Sequence, residues 1–203
     1  MLMATGHRRM RPRTLLFWLA LAVPAALMVA DLARGSLAMD LLHPTGELSL
    51  RLMVLALLPG PLVEVFGPNR FLRGWVAIRR NLGVAAFGYG LLHLAFYAVD
   101  MGALQPIVAE FTLPAIWTGW LGFAFMLAAA AVSRDAAMAA MGRRLWKRVQ
   151  QGIYAAFILA LSHWALLDRD WAPPLIHLAP VALAWVLRFV VRVNRRFNRR
   201  TFA

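Results

Sequence analysis

The chain has 203 residues, of which 62% are hydrophobic and 15% charged, a balance too apolar for an ordinary soluble domain. It contains no cysteine, which excludes disulfides, thiolate metal sites and iron–sulfur clusters, so any metal site would need histidine. The formal net charge of +13 resides in short basic clusters between long apolar runs, which favours a membrane surface over nucleic acid as their partner.

Six apolar stretches are long enough to cross roughly 30 Å of hydrocarbon at about 1.5 Å per residue. In chain order they cover residues 14–30, 48–66, 81–99, 114–132, 149–167 and 174–192. We treat the first as a signal anchor, because the sequence after it has no convincing small-x-small cleavage site. These stretches predict an all-α membrane protein, a six-transmembrane-helix bundle over residues 14–192, with a basic arm at 1–13 and a basic tail at 193–203.

Basic residues indicate which way the chain crosses the membrane. Nineteen of the 22 Lys and Arg residues lie on one predicted face, and the other three are Arg34, Arg51 and Arg169. Seven of the nine acidic residues lie on the same face as these three arginines: Asp31, Asp40, Glu47, Asp100, Glu110, Asp168 and Asp170. The positive-inside rule therefore predicts that both termini are cytoplasmic and that the basic tail lies against anionic lipid.

Two of the five histidines lie deep within predicted spans. His93 is about 12 residues into the third span and His163 about 14 residues into the fifth, which places them roughly 18 and 21 Å from the cytoplasmic face. These spans run in the same direction, and two imidazoles at one depth suit a porphyrin iron, which takes one axial ligand on each side. Small residues share their helical faces: Gly83, Ala86 and Gly90 near His93, and Gly152, Ala156 and Ala160 near His163.

The histidines and the small residues also fit roles that need no cofactor. Small residues in membrane helices more often serve close helix packing than a cofactor, and an intramembrane histidine can form an interhelical hydrogen bond. Spacing alone is therefore compatible with three alternatives: heme ligation, a heme-free scaffold and a transporter-like protein. Glu64, near the cytoplasmic end of the second span, keeps transport open, although six spans without a paired repeat argue against it.

Several motifs around His93 resemble one family of membrane proteins. Residues 79–83 read RRNLG, residues 89–93 read YGLLH, and Tyr97 follows one turn later. This order resembles the RR-x-LG, Y-x-LLH and Y signature of the MsrQ family, also called YedZ, within the ferric-reductase-like transmembrane group. Further matches follow in order: Thr45-Gly46, Pro114, Gly119, residues 142–146, Tyr154 and residues 162–164. The resemblance covers roughly residues 43–165.

The resemblance implies a b-type cytochrome of the bacterial inner membrane, the heme-binding subunit of a periplasmic methionine sulfoxide reductase system. Such an electron-transfer subunit of an oxidoreductase complex would accept electrons from the quinone pool or a cytoplasmic flavin reductase, with FMN as a candidate cofactor. It would pass them to a molybdenum-containing periplasmic partner. His93 and His163 fall on the family's heme-ligand positions, and Arg80 and Tyr97 are candidates to contact the cofactor. A ferric or quinone reductase-like cytochrome without that partner is the alternative.

The chain departs from the family pattern at Gln150, where a histidine is usual. Glutamine is a poor iron ligand, and Gln150 lies 13 residues before His163, about 20 Å nearer the cytoplasm. We therefore expect one heme, and the departure weakens the case for a second, inner one. Val132 also replaces the family's threonine beside the retained Ser133, and the usual basic pair before Pro114 is missing.

Overall fold

The computed structural model describes residues 12–201, and in this range every regular element is a helix. The helices are α1 Pro12–Ala33, α2 Ala38–Leu57, α3 Pro59–Phe66, α4 Arg70–Met101, α5 Leu104–Ala109, α6 Pro114–Ala131, α7 Asp135–Met141, α8 Arg143–Asp168 and α9 Ala172–Thr201, with a 3₁₀ turn at Glu110–Thr112. The all-α class predicted from the sequence is confirmed. Because α9 stays helical to Thr201, the described part of the basic tail prolongs that helix.

Five helical segments in the described range are long and apolar enough to cross a membrane. They are Thr14–Ala33, Ala38–Phe66, Arg70–Met101, Pro114–Ala131 and Ala172–Asn198. The remaining predicted span, 149–167, lies in α8, whose 26 residues reach ~39 Å at ~1.5 Å per residue. Polar side chains such as Gln150 and His163 interrupt the apolar stretch of α8. Its length and its packing along α6 agree with a sixth crossing.

The second predicted span begins too late in the chain. We expected residues 48–66, whereas α2 begins at Ala38 and α3 continues it after a short break. Pro44 and Gly46 come before the predicted span, but both lie inside α2. Membrane helices tolerate proline where neighbouring groups satisfy the freed backbone. Thr45 and Gly46 consequently lie on a helix that packs along α4, which gives them a part in the site described below.

The bundle is built on two helix pairs. α2 packs along α4 and α6 packs along α8, and these are the most extensive helix contacts in the described chain. The pairs share one apolar core, in which Met53, Leu57, Ala86, Ala156 and Phe157 are among the most buried side chains. α9 packs on α2, α3 and α8, and α1 packs on α2 and α4. The intramembrane histidines lie on α4 and α8, one in each pair.

An ion-pair cluster fastens α3 to α9. The Glu64 carboxylate accepts hydrogen bonds from Arg188 and from Nε of Arg192, the latter at 2.7 Å. Arg195 donates to the backbone carbonyl of Glu64 at 3.2 Å. Charge-assisted bonds of this kind are stronger than neutral ones, so the cluster stabilises the contact between the helices. Glu64 is therefore paired with cations of α9 and is not an isolated acid.

The Tyr89 hydroxyl bridges two backbone groups of α1. It donates to the Leu21 carbonyl at 2.7 Å and accepts from the Ala25 amide at 3.2 Å, next to Pro24. Leu21 and Ala25 are four residues apart and would otherwise pair with each other in the helix. A side chain inserted into this ladder produces a local bend, as proline does. Tyr89 thus anchors a helix whose apolar stretch is not buried inside the bundle.

Tyr89→Phe is expected to loosen α1. The variant loses both hydrogen bonds of the hydroxyl and regains one when the Ala25 amide pairs with the Leu21 carbonyl, a net loss of ~1 kcal/mol. That loss corresponds to roughly fivefold in the docking equilibrium. Amide hydrogen exchange in α1, measured by mass spectrometry, should rise by about that factor. Tyr154→Phe is the matched control, because the Tyr154 ring packs against Trp185, away from α1. Parent-like exchange in Tyr89→Phe would contradict the anchoring role.

Candidate functional site

His93 lies on the face of α4 that packs against α2. Its Nδ1 lies 2.9 Å from the Leu42 carbonyl oxygen, and because a carbonyl can only accept, Nδ1 carries the proton and donates. Thr45 Oγ1 lies 3.4 Å from the same nitrogen. A β-carbon on Gly46 would lie 3.2 Å from Nδ1, so glycine lets the ring approach α2 closely. The carbonyl fixes the tautomer and leaves Nε2 able to bind a metal.

His163 on α8 is held against α6 in the same way. Its Nδ1 donates to the Ala115 carbonyl at 2.6 Å. A β-carbon on Gly119 would lie 2.7 Å from Nδ1, closer than real β-carbon contacts, so this position requires glycine. Thr118 Oγ1 donates to the same carbonyl at 2.7 Å. Nε2 of His163 is likewise left for a ligand bond.

The two halves of the site repeat each other. A Thr-Gly step faces each histidine, Thr45-Gly46 in α2 and Thr118-Gly119 in α6, and the accepting carbonyl belongs to the residue four positions before the glycine. Both threonines are buried. The sequence singled out Thr45-Gly46 and Gly119 as family matches, but their contact with the imidazoles was missed. The signal that could have revealed it is a Thr-Gly step at a similar separation before each intramembrane histidine.

The imidazoles of His93 and His163 meet between the two helix pairs. Their ring centres are 6.2 Å apart and their planes are inclined by 88°. Two imidazoles that share one metal, each bound through a nitrogen at ~2.0–2.1 Å, have ring centres roughly 6 Å apart. Because each Nδ1 is held by a backbone carbonyl, each Nε2 remains for the metal. The pair therefore fits a group that takes one axial ligand on each side, as a heme iron does.

Tyr97 lies one turn beyond His93 on α4. Its hydroxyl donates to Glu110 Oε2 at 2.6 Å, in the 3₁₀ turn that precedes α6. The structure thus brings Tyr97 close to the histidine pair along the helix, but its hydroxyl is engaged by Glu110. This bond ties the end of α4 to the start of α6, the helix that holds His163.

Known proteins are similar in sequence to this chain over most of its length. Residues 45–161, more than half of the chain, match the family described as ferric reductase like transmembrane component. A relative from Caulobacter vibrioides, named protein-methionine-sulfoxide reductase heme-binding subunit MsrQ, is 30% identical over 192 residues, covering 86% of this chain and 89% of the relative. The chain belongs to the MsrQ family. The ferric-reductase-like membrane fold predicted from the motifs is confirmed.

Two further MsrQ relatives carry the same name. They come from Yersinia pseudotuberculosis serotype O:1b and from Yersinia pestis, and both are 30% identical over 187 residues. Each comparison covers 88% of this chain, with 90% and 88% of the relatives. No solved structure matches the chain. Motif order and spacing were therefore sufficient to recognise the MsrQ family at this level of identity.

The Gln150 side chain, at the position where we expected a family histidine, donates hydrogen bonds to the C-terminal end of α6. Its Nε2 donates to the Ala129 carbonyl at 2.9 Å and lies 3.4 Å from Ser133 Oγ. Trp146 Nε1 donates to the Val132 carbonyl at 2.9 Å. Carbonyls in the last turn of a helix lack partners within that helix. Gln150 and Trp146 therefore cap α6 from α8.

The structure does not bring Arg80 to the histidine pair. Arg80 lies 13 residues before His93 on α4, about 20 Å away along the helix. Its guanidinium forms an exposed salt bridge with Asp135 of α7 at 2.8 Å. The predicted contact of Arg80 with a cofactor stays a prediction, and it would have to be made far from the two imidazoles.

Proposed function

We propose that this chain is a b-type cytochrome membrane subunit that binds one heme between His93 and His163. The observation that carries the proposal is their placement, with ring centres 6.2 Å apart and each Nδ1 donating to a carbonyl of the neighbouring helix. The names of the MsrQ relatives support it, since they describe heme-binding subunits of a methionine sulfoxide reductase. A bound heme supplies one-electron chemistry at its iron.

The residues around His93 and His163 orient the two imidazoles as ligands. Among the described residues, no group of three or more His, Cys, Asp or Glu side chains is placed to hold a bare metal ion. A porphyrin supplies four nitrogen ligands itself and needs two from the protein. The Leu42 and Ala115 carbonyls orient the rings and make the imidazoles more basic ligands. His93 and His163 would hold the heme from its two sides, and the bound group would supply one-electron transfer at its iron.

We further propose that electrons leave towards the periplasm across the bacterial inner membrane. The positive-inside rule places both termini in the cytoplasm. His93 lies eight residues before the end of α4 and His163 five before the end of α8, roughly 12 and 8 Å from the opposite, outer ends. The proposed donor is the quinone pool or a cytoplasmic flavin reductase with FMN. The proposed acceptor is a molybdenum-containing periplasmic methionine sulfoxide reductase subunit.

Absorption spectra of the purified protein test the proposal. Reduction with dithionite should give a split, low-spin b-type signal, and a pyridine hemochrome assay should give one heme per chain. Adding the molybdenum-containing partner with methionine sulfoxide should reoxidise the reduced heme. A featureless spectrum from heme-replete cells would contradict the cytochrome and favour a heme-free scaffold. Heme that stays reduced with the partner present would favour a ferric or quinone reductase-like cytochrome.

Gln150→His tests whether the pocket for a second, inner heme is present and lacks only its histidine ligand. In the parent, Gln150 caps α6 and offers no good iron ligand, which is why we propose a single heme. The histidine variant is expected to bind more than one heme per chain in the same hemochrome assay. Gln150→Ala is the matched control, because it removes the cap without adding a ligand, and should stay at one heme. Parent stoichiometry in Gln150→His would mean that the inner pocket itself is missing.

A further inference from the structure

Three aromatic rings meet beside the histidine pair, one each from α2, α8 and α9. The ring centre of Trp164 lies 5.3 Å from that of His43, at 90°, and 5.3 Å from that of His177, at 53°. His43 is exposed, whereas Trp164 and His177 are half-buried. The rings thus extend from the helix interfaces to the surface. We refer to His43, Trp164 and His177 as the outer ring cluster.

The outer ring cluster is linked to both halves of the proposed heme site. Trp164 directly follows His163 in α8. His43 directly follows Leu42, whose carbonyl accepts the hydrogen bond from His93. His163 is therefore joined to Trp164 by covalent bonds alone, and His93 is joined to His43 through one hydrogen bond and Leu42. Electron tunnelling falls steeply with distance, so rings at this position shorten the gap to an acceptor outside.

Polar contacts orient the rings and place carboxylates beside them. Trp164 Nε1 donates to Asp168 Oδ2 at 2.6 Å. His177 Nδ1 donates to the Pro173 carbonyl at 2.8 Å, and its Nε2 lies 4.0 Å from Glu47 Oε1. On the predicted outer face as a whole, seven acidic side chains stand against three arginines, two of which pair with Asp31 and Glu47. An acidic surface attracts and orients a positively charged partner.

We propose that the outer ring cluster is the electron exit, and that a soluble acceptor protein with a positively charged rim around its redox centre docks over Trp164. This inference rests on the proposed function, because it takes a heme between His93 and His163 as the electron source. In each transfer the ferrous iron loses one electron and becomes ferric, and the acceptor gains that electron. No bond is broken and no proton moves. Trp164 shortens the gap, and Asp168 steers the acceptor.

Stopped-flow reoxidation of the reduced, heme-loaded protein in phosphatidylcholine nanodiscs tests Trp164. Cationic hexaammineruthenium(III) and anionic ferricyanide are the probes, and each variant is compared with the parent for the same oxidant. Trp164→Leu should slow reoxidation by both oxidants several-fold, with heme content and spectrum at parent values. Trp164→Phe keeps an aromatic ring and should recover most of the rate. Trp171→Leu, at an exposed tryptophan just before α9, is the matched control and should leave the rate unchanged.

Charge is tested separately with Asp168→Asn, which keeps a carbonyl acceptor for Trp164. This variant should react more slowly with the cationic oxidant and faster with the anionic one, and both differences should shrink at high salt. A fluorescent decalysine peptide should bind the variant several-fold more weakly than the parent in an anisotropy assay, a readout independent of electron transfer. Asp100→Asn, at the outer end of α4, is the matched control and should change both readouts less.

The outcomes separate this inference from the proposed function. Parent-like reoxidation in Trp164→Leu at full heme content would overturn the exit while the cytochrome stands. Decalysine binding unaffected by Asp168→Asn would overturn the acidic docking surface. A parent protein that binds no heme would overturn the proposed function itself.

Discussion

Replacing either His93 or His163 by alanine is expected to abolish heme retention. Loss of the hydrogen-bond partner of a metal-binding histidine already lowers metal affinity ~10–100-fold, so loss of the histidine itself should lower heme affinity by more than ~100-fold. Membrane insertion should be intact, because the apolar spans do not depend on the ligands. Heme content of the purified variants, by pyridine hemochrome, and membrane fractionation measure the two effects.

His177→Ala is the matched control for these two variants. It removes an imidazole whose ring packs on Trp164 and whose Nε2 lies near Glu47, so it does not belong to the ligand pair. Its heme content should equal that of the parent. Full heme content in His93→Ala or His163→Ala would contradict the ligand assignment. Heme loss from His177→Ala as well would point to a general loss of stability.

The common depth of His93 and His163 could be predicted from the sequence because it depends only on counting residues along helices. A rise of ~1.5 Å per residue places His93 and His163 within about one turn of each other. The structure brings their ring centres to 6.2 Å. How each helix is rotated about its axis could not be predicted, because packing against the neighbouring helix decides it. The Leu42 and Ala115 carbonyls that orient the rings are visible only in the folded chain.

Local signals misled where distant contacts decide the outcome. The second span was predicted to begin at residue 48, yet the segment 44–46 before it is part of a helix packed along α4. Glu64 reads as a lone intramembrane acid, but its partner Arg188 lies 124 residues further along the chain. Gln150 reads as a lost ligand, and its second role, capping α6, depends on the packing of α8. In each case the contact that decides the outcome lies on another helix and cannot be read from the local pattern.

Gly119→Ala is expected to disable the site although both histidines remain. The added β-carbon would lie 2.7 Å from Nδ1 and 2.8 Å from Cε1 of His163, closer than real contacts allow. The Ala115 carbonyl holds this ring at 2.6 Å, so the ring must turn away and lose that bond. Overpacking of this kind costs ~1–3 kcal/mol, which corresponds to roughly 5- to 150-fold in affinity. A heme titration of the purified variant should show a loss in that range.

Two other glycines of the bundle give a graded comparison with Gly119. A β-carbon on Gly46 would lie 3.2 Å from His93 Nδ1, a contact that a shift of a few tenths of an ångström relieves, so Gly46→Ala should lose less heme. Gly88→Ala on α4 meets nothing within 4 Å and should bind heme as the parent does. This order of heme loss, largest for Gly119→Ala and absent for Gly88→Ala, requires that each imidazole stays packed against its neighbouring helix when heme is bound. Equal heme affinity in Gly119→Ala and Gly88→Ala would place the His163 ring elsewhere in the loaded protein.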